Sequence, residues 1–169
     1  MAAAAAAAAT APAVVSDAAA APAATSAAAP TAATSDAPAL VTHSGSCHCR
    51  AVTFEVDAPS DVTVWECNCS ICAMKRNTHF VVPACRFRLL TGADDLTEYR
   101  FNTGVARHRF CRVCGVQAFY HPRSNPDGIA VTIHCITSRT LTSVTTNRFD
   151  GKDWEGYIGK SGIAAFSKE

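Results

Sequence analysis

The segment Cys67-Asn68-Cys69-Ser70-Ile71-Cys72 places three thiols within six residues. Cys47-His48-Cys49 precedes it, and Cys111-Arg112-Val113-Cys114 follows it. Thiols this close in sequence cannot all pair as unstrained disulfides, because a disulfide requires Cα atoms about 5.5 Å apart in a specific geometry. They can converge on one Zn²⁺ ion, which binds thiolate sulfur at about 2.3 Å and prefers a tetrahedron of four ligands. The three motifs therefore predict that metal binding organises the fold.

The seven clustered thiols divide most naturally into a group of four and a group of three. Four thiolates complete a structural zinc site, whereas three leave one position open to water or a substrate. Spacing alone leaves the pairing open, because the 47–49 motif could join two thiols of the 67–72 segment or the two thiols of 111–114. The second pairing uses both two-thiol motifs and leaves a separate group of three thiols, namely Cys67, Cys69 and Cys72.

The first 42 residues have the composition of a disordered tail. They are rich in alanine, with an unbroken run from Ala2 to Ala9, and prolines at 12, 22, 30 and 38 interrupt any long helix. No lysine or arginine precedes Arg50, so we expect neither a secretory nor a mitochondrial signal. No apolar run outside alanine approaches the length of a membrane span, and no membrane association is expected.

Charge and cysteine content narrow the functional classes. Because Asp17 and Asp36 lie in the tail, the rest of the chain has 15 basic and 12 acidic residues. Seven thiolates holding two Zn²⁺ ions would cancel this excess, so nucleic acid and anionic membranes are not expected partners. Nine cysteines without a secretory signal favour a reducing compartment, the cytoplasm first, with the nucleus or a plastid as alternatives. Cys85 and Cys135, outside the motifs, are predicted to be small buried residues.

Residues 43–160 are predicted to form an all-β domain. Residues 51–56 alternate between apolar and polar side chains, and other short strand-like runs follow between Gly and Pro turns. These runs are 62–65, 79–83, 87–90, 96–102, 107–110, 116–120, 129–136 and 141–149. One helical turn at 70–75 and a short helix after Trp154 complete the prediction. A structural zinc site contributes about 10–16 kcal/mol in small peptides, comparable with a domain's stability of about 5–15 kcal/mol, so the metal-free domain should be unfolded or molten.

The three motifs, read with their neighbours as Gly45–Cys49, Cys67–Cys72 and Phe110–Gly115, resemble the glutathione-dependent formaldehyde-activating enzyme family. The stretches 77–83, 115–120 and 122–126 resemble its eukaryotic branch, centromere protein V. The resemblance runs from about residue 43 to Trp154. It implies an Mss4-like fold of short antiparallel strands fastened by two zinc ions. One is structural and the other is open, and the implied ligands are Cys47, Cys49, Cys111 and Cys114 for the first and Cys67, Cys69 and Cys72 for the second.

The same resemblance implies a carbon–sulfur lyase-type activity on S-hydroxymethylglutathione, the adduct of glutathione and formaldehyde. A small thiol would be the partner, and the three thiols of 67–72 would be catalytic. The chemistry agrees, because three thiolates make zinc electron-rich, a poor activator of water but well suited to capturing a thiol. His79 and Arg76 are candidates for proton transfer, and His48 is expected beside the metal or at the surface.

Two rival enzyme classes fail on inspection. A zinc deaminase requires H-x-E and P-C-x-x-C, which this chain lacks, and a thioredoxin-type redox motif requires a βαβ setting. The main alternative is a non-catalytic, zinc-stabilised binding module of the centromere protein V type. The tail has no basic residue, which argues against cytoskeletal or nucleic-acid binding. Arg50 replaces a family glycine and Thr137 a family aspartate, and both changes are expected to weaken substrate binding without affecting the metals. The oligomeric state is left open.

Overall fold

We describe residues 38–169 in a computed structural model of the chain. The strands are β1 Leu40–Ser46, β2 Thr53–Pro59, β3 Asp61–Cys67, β4 Thr78–Pro83, β5 Phe87–Thr91, β6 Leu96–Tyr99, β7 His108–Cys111, β8 Phe119–Tyr120, β9 Gly128–Thr132 and β10 Ser143–Phe149. The helices are α1 Ser70–Lys75 and α2 Trp154–Ser161, and four 3₁₀ turns lie at Ala84–Arg86, Ala93–Asp95, Ile133–Cys135 and Ile163–Ser167. The predicted β-rich fold class is confirmed. No helix in residues 38–169 has both the length and the apolar character needed to cross a membrane.

The predicted tail lies outside the described residues except for its last five. Strand β1 begins at Leu40, inside the range assigned to the tail. At the other end, Ile163 and Ser167 are buried, so the ordered part continues beyond residue 160. Asn125 fastens this C-terminal turn, because its Nδ2 donates to the carbonyl of Ile163 at 2.9 Å and to Ser167 Oγ at 2.9 Å.

Three sheets build the fold. The first has the order β1-β2-β5 and is antiparallel throughout. The second has the order β10-β3-β4-β9-β8, in which only β10 and β3 run parallel. The third is the β6-β7 hairpin. The packing of the three sheets brings the turn after β1 close to the turn after β7, although the two are far apart in sequence.

The main core lies between the first two sheets. Strand β2 alternates as predicted, and its inward residues Phe54 and Val56 are fully buried. Phe54 stacks on Phe87 at 5.3 Å, and Phe119 packs against Phe87 at 4.6 Å between ring centroids. Each such apolar side chain contributes about 1.5–3 kcal/mol when fully buried. Strands β4 and β9 are buried along almost their whole length, which explains their continuous apolar sequences.

A smaller cluster lies on the other face of the second sheet, beneath α2 and the C-terminal turn. It is formed by Trp65, Val81, Tyr120, Ala130, Phe149 and Ile163. Helix α2 begins at an N-cap, Asp153, whose Oδ1 accepts from the backbone N–H of Gly156 at 3.3 Å. This cluster supports one wall of the cavity described below.

Candidate functional site

Two tight turns bring four thiols close together. In the first turn, Cys47 N–H donates to the carbonyl of Val52 at 3.0 Å, and Arg50 N–H donates to the carbonyl of Cys47 at 3.1 Å. In the second, Gly115 N–H donates to the carbonyl of Cys111 at 2.8 Å. Gly115 has φ of +73°, the left-handed conformation that glycine adopts without steric cost. We call the four thiols the quartet: Cys47, Cys49, Cys111 and Cys114.

The sulfur atoms of the quartet have the spacing of a tetrahedral thiolate site. Cys49 Sγ lies 3.5 Å from Cys47 Sγ and 3.6 Å from Cys111 Sγ, and all four sulfurs lie within 4.8 Å of one another. Ligands held at about 2.3 Å in a tetrahedron are separated by about 3.8 Å. Cys47 and Cys111 are each only 1% exposed. Cys49 is exposed and Cys114 partly exposed, so the quartet can hold a metal ion between a buried pair of thiols and a pair nearer the surface.

Three further thiols converge where β3 meets α1, and we call them the trio: Cys67, Cys69 and Cys72. Cys67 ends β3, Cys69 is the N-cap residue of α1, and Cys72 is buried in the helix. The i, i+3 spacing places Cys69 and Cys72 on one side of the helical turn. Their sulfurs also lie within 4.8 Å of one another, and within residues 38–169 no fourth His, Cys, Asp or Glu joins the group. The trio can hold a metal ion and leave one position to another ligand.

The segment after β10 packs directly against the trio. The parallel register pairs Phe149 with Cys67, and Asn68 N–H donates to the carbonyl of Phe149 at 3.2 Å. Asn68 Nδ2 donates to Asp150 Oδ1 at 2.8 Å. A Cβ on Gly151 would lie 2.8 Å from the Cβ of Cys69. Only glycine therefore fits here without displacing a ligand of the trio.

The trio forms part of the wall of a cavity of about 320 Å³. Much of the wall is aromatic, with Trp65, Phe101, Tyr120, Phe149 and Trp154. Another part of the wall comes from the loop between β6 and β7, including Phe101 to Thr103. Asn102 has φ of +51°, so this loop holds a conformation that asparagine tolerates better than most residues. The cavity therefore places the sulfur atoms in a pocket with mainly apolar walls.

Two histidines and a tyrosine form a stacked group at the cavity wall. Tyr120 Oη and His79 Nε2 are 3.1 Å apart, and the ring of His108 stacks on Tyr120 at 5.2 Å with an interplanar angle of 11°. Burial lowers the pKa of His79 from 6.5 to about 4 and raises the pKa of Tyr120 well above 10. Near neutral pH, His79 is therefore uncharged and Tyr120 keeps its proton, so the pair contains one hydroxyl donor and one neutral imidazole.

The charged side chains that line the cavity are basic. Arg123 lies over the ring of Trp154 at 3.6 Å and pairs with Glu155, while Lys152 lies on the segment beside the trio. Among the described residues that line this cavity, none is Asp or Glu. Since Arg123 already pairs with Glu155, Lys152 is the cation of this wall without a carboxylate partner in the described residues, and it can pair with a negative group of an otherwise apolar ligand.

Residues 42–150 match the sequence profile of a family described as glutathione-dependent formaldehyde-activating enzyme. The chain belongs to this family. A crystal structure of a Rhodobacter sphaeroides protein is also similar, with 31% identity, a TM-score of 0.53, and coverage of 62% of this chain and 99% of that chain. Family membership is consistent with the Mss4-like fold and indicates a small, glutathione-like thiol as substrate. The narrower assignment to the centromere protein V branch stays a prediction.

The predicted residues outside the quartet and the trio lie in two different regions. His79 lines the cavity, but Arg76 and His48 line a different groove at the C-terminal end of α1. Arg50 and Thr137 also line that groove and not the cavity. The prediction that these two residues weaken substrate binding is therefore not supported by any contact with the cavity.

The two cysteines outside the clusters differ from each other. Cys135 is buried, as predicted, but the prediction was wrong for Cys85, which is exposed and donates to Glu169 at 3.0 Å. Its 3₁₀ turn follows Pro83 and points the thiol toward the C-terminus rather than into the core.

Sequence reasoning missed most of the cavity wall. Tyr120, His108 and Arg123 were not singled out, because each occurs alone in a strand or turn without a motif. Tyr120 could have been noticed from its position in a short apolar strand directly before His121. The hydroxyl group of a tyrosine in a buried strand usually needs a hydrogen-bond partner.

Proposed function

We propose that this family member is a zinc-dependent carbon–sulfur lyase-type enzyme that forms and cleaves the adduct of a small thiol with an aldehyde, S-hydroxymethylglutathione being the prime candidate. In this proposal the quartet holds a structural zinc ion and the trio holds a second, open one. The observation that carries the proposal is the position of the trio, which has three thiols, no fourth protein ligand in residues 38–169, and a place on the wall of a cavity.

The donor set fits zinc, because three thiolates from one short segment leave a fourth tetrahedral position for an outside ligand. When bound, the metal would supply Lewis acidity that favours the ionised form of a substrate thiol. The protein's contribution is to hold Cys67, Cys69 and Cys72 on a rigid strand end and helix turn, and to enclose the reacting atoms between aromatic rings.

The overall reaction joins a thiol sulfur to a carbonyl carbon and places the thiol's proton on the carbonyl oxygen. The oxygen becomes negative as the carbon–sulfur bond forms, so it needs a proton donor inside the cavity. We assign this task to the Tyr120 hydroxyl, with His79 as its hydrogen-bond partner at 3.1 Å. In the forward direction Tyr120 donates its proton to the oxygen, and the proton that the substrate thiol releases restores the Tyr120 hydroxyl, which His79 holds in place. Cleavage reverses the same transfer.

The basic side chains at the cavity would select the thiol. Glutathione carries two carboxylates, and Arg123 and Lys152 are the cationic groups that line the cavity. Arg123 is held by stacking on Trp154, which leaves its guanidinium ordered before a ligand binds. A thiol without carboxylates should therefore bind more weakly than a thiol peptide.

The test compares Cys69→Ser with Cys85→Ser, since Cys85 is an exposed thiol outside both clusters. Zinc content is measured on each purified protein, glutathione binding by calorimetry, and exchange between ¹³C-formaldehyde, glutathione and their adduct by NMR. We expect Cys69→Ser to stay folded, to lose one of two zinc ions, and to lose glutathione binding and the catalysed exchange. Cys85→Ser should behave as wild type. A wild-type protein that holds both zinc ions but neither binds glutathione nor accelerates exchange would contradict the proposal and favour the binding module.

A further inference from the structure

A second groove lies at the C-terminal end of α1, whereas the first turn of that helix lines the cavity. The groove has a volume of about 670 Å³. We call it the basic groove, and its polar wall includes His48, Arg50, Lys75, Arg76, Asn77 and His134. None of the described residues that line it is Asp or Glu. Its size is within the range of small-molecule sites, about 300–1,000 Å³. The groove and the cavity share no lining residue. A third groove, which Glu66 and Asp150 also line, borders the basic groove at Arg76 and the cavity at Cys72.

The cations of the basic groove differ from most others in the domain. Elsewhere arginines are neutralised by carboxylates, as in the pairs Arg88–Asp57 and Arg112–Asp95. Within residues 38–169, Arg50, Lys75 and Arg76 have no acidic partner within 4 Å. Three unpaired cations beside one groove create a region of positive potential that an anion can neutralise.

Backbone conformation adds an independent observation. Arg50 has φ of +64° and Arg76 has φ of +51°. For a residue with a Cβ this left-handed conformation costs about 1–2 kcal/mol relative to the right-handed one, and glycine is preferred at a helix C-terminus such as Arg76. Only one other non-glycine residue in the described part of the chain has positive φ. Arginine therefore occupies two strained positions, and both residues line the same groove.

Asn77 belongs to the floor of the groove and is bonded within the protein. It is 7% exposed, and its side-chain amide lies 2.9 Å from Thr132 Oγ1. Because the single Thr132 hydroxyl proton donates to the carbonyl of Gln117 at 2.8 Å, the amide N–H of Asn77 can donate to Thr132 Oγ1. Affinity of the groove for an anion therefore depends on its cations.

The cations could instead serve to balance the negative charge of the thiolate clusters, because Cys47 and Cys135 also line the groove. The contacts argue against this. Lys75 Nζ donates to Gln117 Oε1 at 2.6 Å, and the sulfur atoms of the clusters accept only from backbone N–H groups, namely those of Val52 and Cys69, or contact other sulfurs. The cationic groups therefore do not bind the sulfurs directly.

We propose that the basic groove binds a small multivalent anion, a phosphate ester or a polycarboxylate, at a site distinct from the cavity of the trio. Arg50 and Arg76 provide charge-assisted hydrogen bonds, and Lys75 adds charge. Phosphate and carboxylate share this chemistry, and the experiment separates them.

The zinc-loaded full chain is titrated with inorganic phosphate and, separately, with tricarballylate, at constant ionic strength, and followed by ¹H–¹⁵N NMR. We expect saturable shifts at the backbone amides of residues 48–50 and 75–77. The Arg50→Gly/Arg76→Gly double variant should lose about 100-fold in affinity, about tenfold per guanidinium. Its melting temperature should not fall, because glycine suits both positions. Arg139→Gln/Lys160→Gln removes the same charge outside the groove and should keep wild-type affinity.

Saturation by phosphate alone assigns a phosphate ester, by tricarballylate alone a polycarboxylate, and by both a general anion site. The proposal is overturned if neither probe saturates, if the double glycine variant binds as wild type does, or if the control variant loses equal affinity. It is also overturned if the glycine variant loses zinc, because the arginines would then serve the thiolate clusters.

Discussion

The quartet and the trio present the same donor atom, sulfur, but they are assembled in different ways. The quartet joins two turns that are 62 residues apart at Cys49 and Cys111. The trio comes from six consecutive residues. A metal ion in the quartet therefore closes a long loop and constrains the whole domain, as a cross-link does. A metal ion in the trio constrains only one strand end and one helix turn, so little of the fold depends on it.

The first prediction, with the largest expected effect, tests the structural half of this comparison. Cys111→Ser should leave the domain unfolded or molten, because a structural zinc site is worth about 10–16 kcal/mol in small peptides and the whole domain about 5–15 kcal/mol. Circular dichroism and a thermal melt of Cys111→Ser beside Cys69→Ser make the measurement. If both variants melt within a few degrees of wild type, the quartet does not carry the fold.

Second, Gly151→Ala should disturb the trio without removing any thiol. The added methyl group would meet the Cβ of Cys69 at 2.8 Å, so a ligand must shift. We expect a stability loss of about 1–3 kcal/mol from overpacking, loss of the trio's metal ion, and loss of thiol binding. Zinc content and glutathione calorimetry measure the effect. Gly159→Ala is the matched control, since nothing lies within 4 Å of a Cβ there. Equal behaviour of the two variants would remove Gly151 from the site.

Third, Tyr120→Phe should lower the rate of the catalysed exchange without changing metal binding by the trio. Both zinc ions and the fold should remain, because only one hydroxyl group is lost. The catalysed exchange should fall by about 100-fold, the lower range for a positioned acid–base group. Stability should drop by about 0.5–1.5 kcal/mol, because His79 loses its partner. An unchanged exchange rate with normal zinc content would assign Tyr120 to packing alone.

Fourth and smallest, His79 should make stability depend on pH. Its pKa in the folded protein is about 4, against 6.5 in the unfolded chain, so the unfolded chain takes up a proton first as pH falls. Stability is full above about pH 7 and decreases toward acid, by about 0.8 kcal/mol between pH 8 and pH 6. Urea midpoints of wild type and His79→Gln measure this slope, with the exposed His134→Gln as control. An equal slope in all three proteins would show that His79 does not cause it.

Much of the β-rich fold followed from the sequence, because alternation in β2 and the continuous apolar runs of β4 and β9 are strong signals. Strand β1 was missed because it carries His43, whose ring is fully buried and contacts Thr140 Oγ1 at 2.6 Å. A polar residue gives no strand signal when its partner lies 97 residues away. The predicted strand at 96–102 ends at Tyr99, since the chain then turns through Asn102 and Gly104, both at positive φ, to form the cavity wall.

The thiols of the candidate site could be predicted from the sequence, but the residues that surround them could not. Cysteine spacing carries information within a motif, so the trio was visible as a unit. Tyr120, His108 and Arg123 meet the trio only through sheet pairing and the stacking of rings, which depend on the register of distant strands. The backbone conformation at Arg50 and Arg76 could not be predicted from the sequence either, because arginine rarely adopts positive φ.

The parallel pairing of β10 with β3 sets a sequence of events during synthesis. Cys67 to Cys72 leave the ribosome early, yet the strand that pairs with Cys67 and the glycine that packs on Cys69 come some 80 residues later in translation. Both turns of the quartet have emerged by residue 115, before β10 exists. A nascent chain can therefore bring the quartet together while the cavity beside the trio still lacks part of its wall, which is completed only when the last strand has been made.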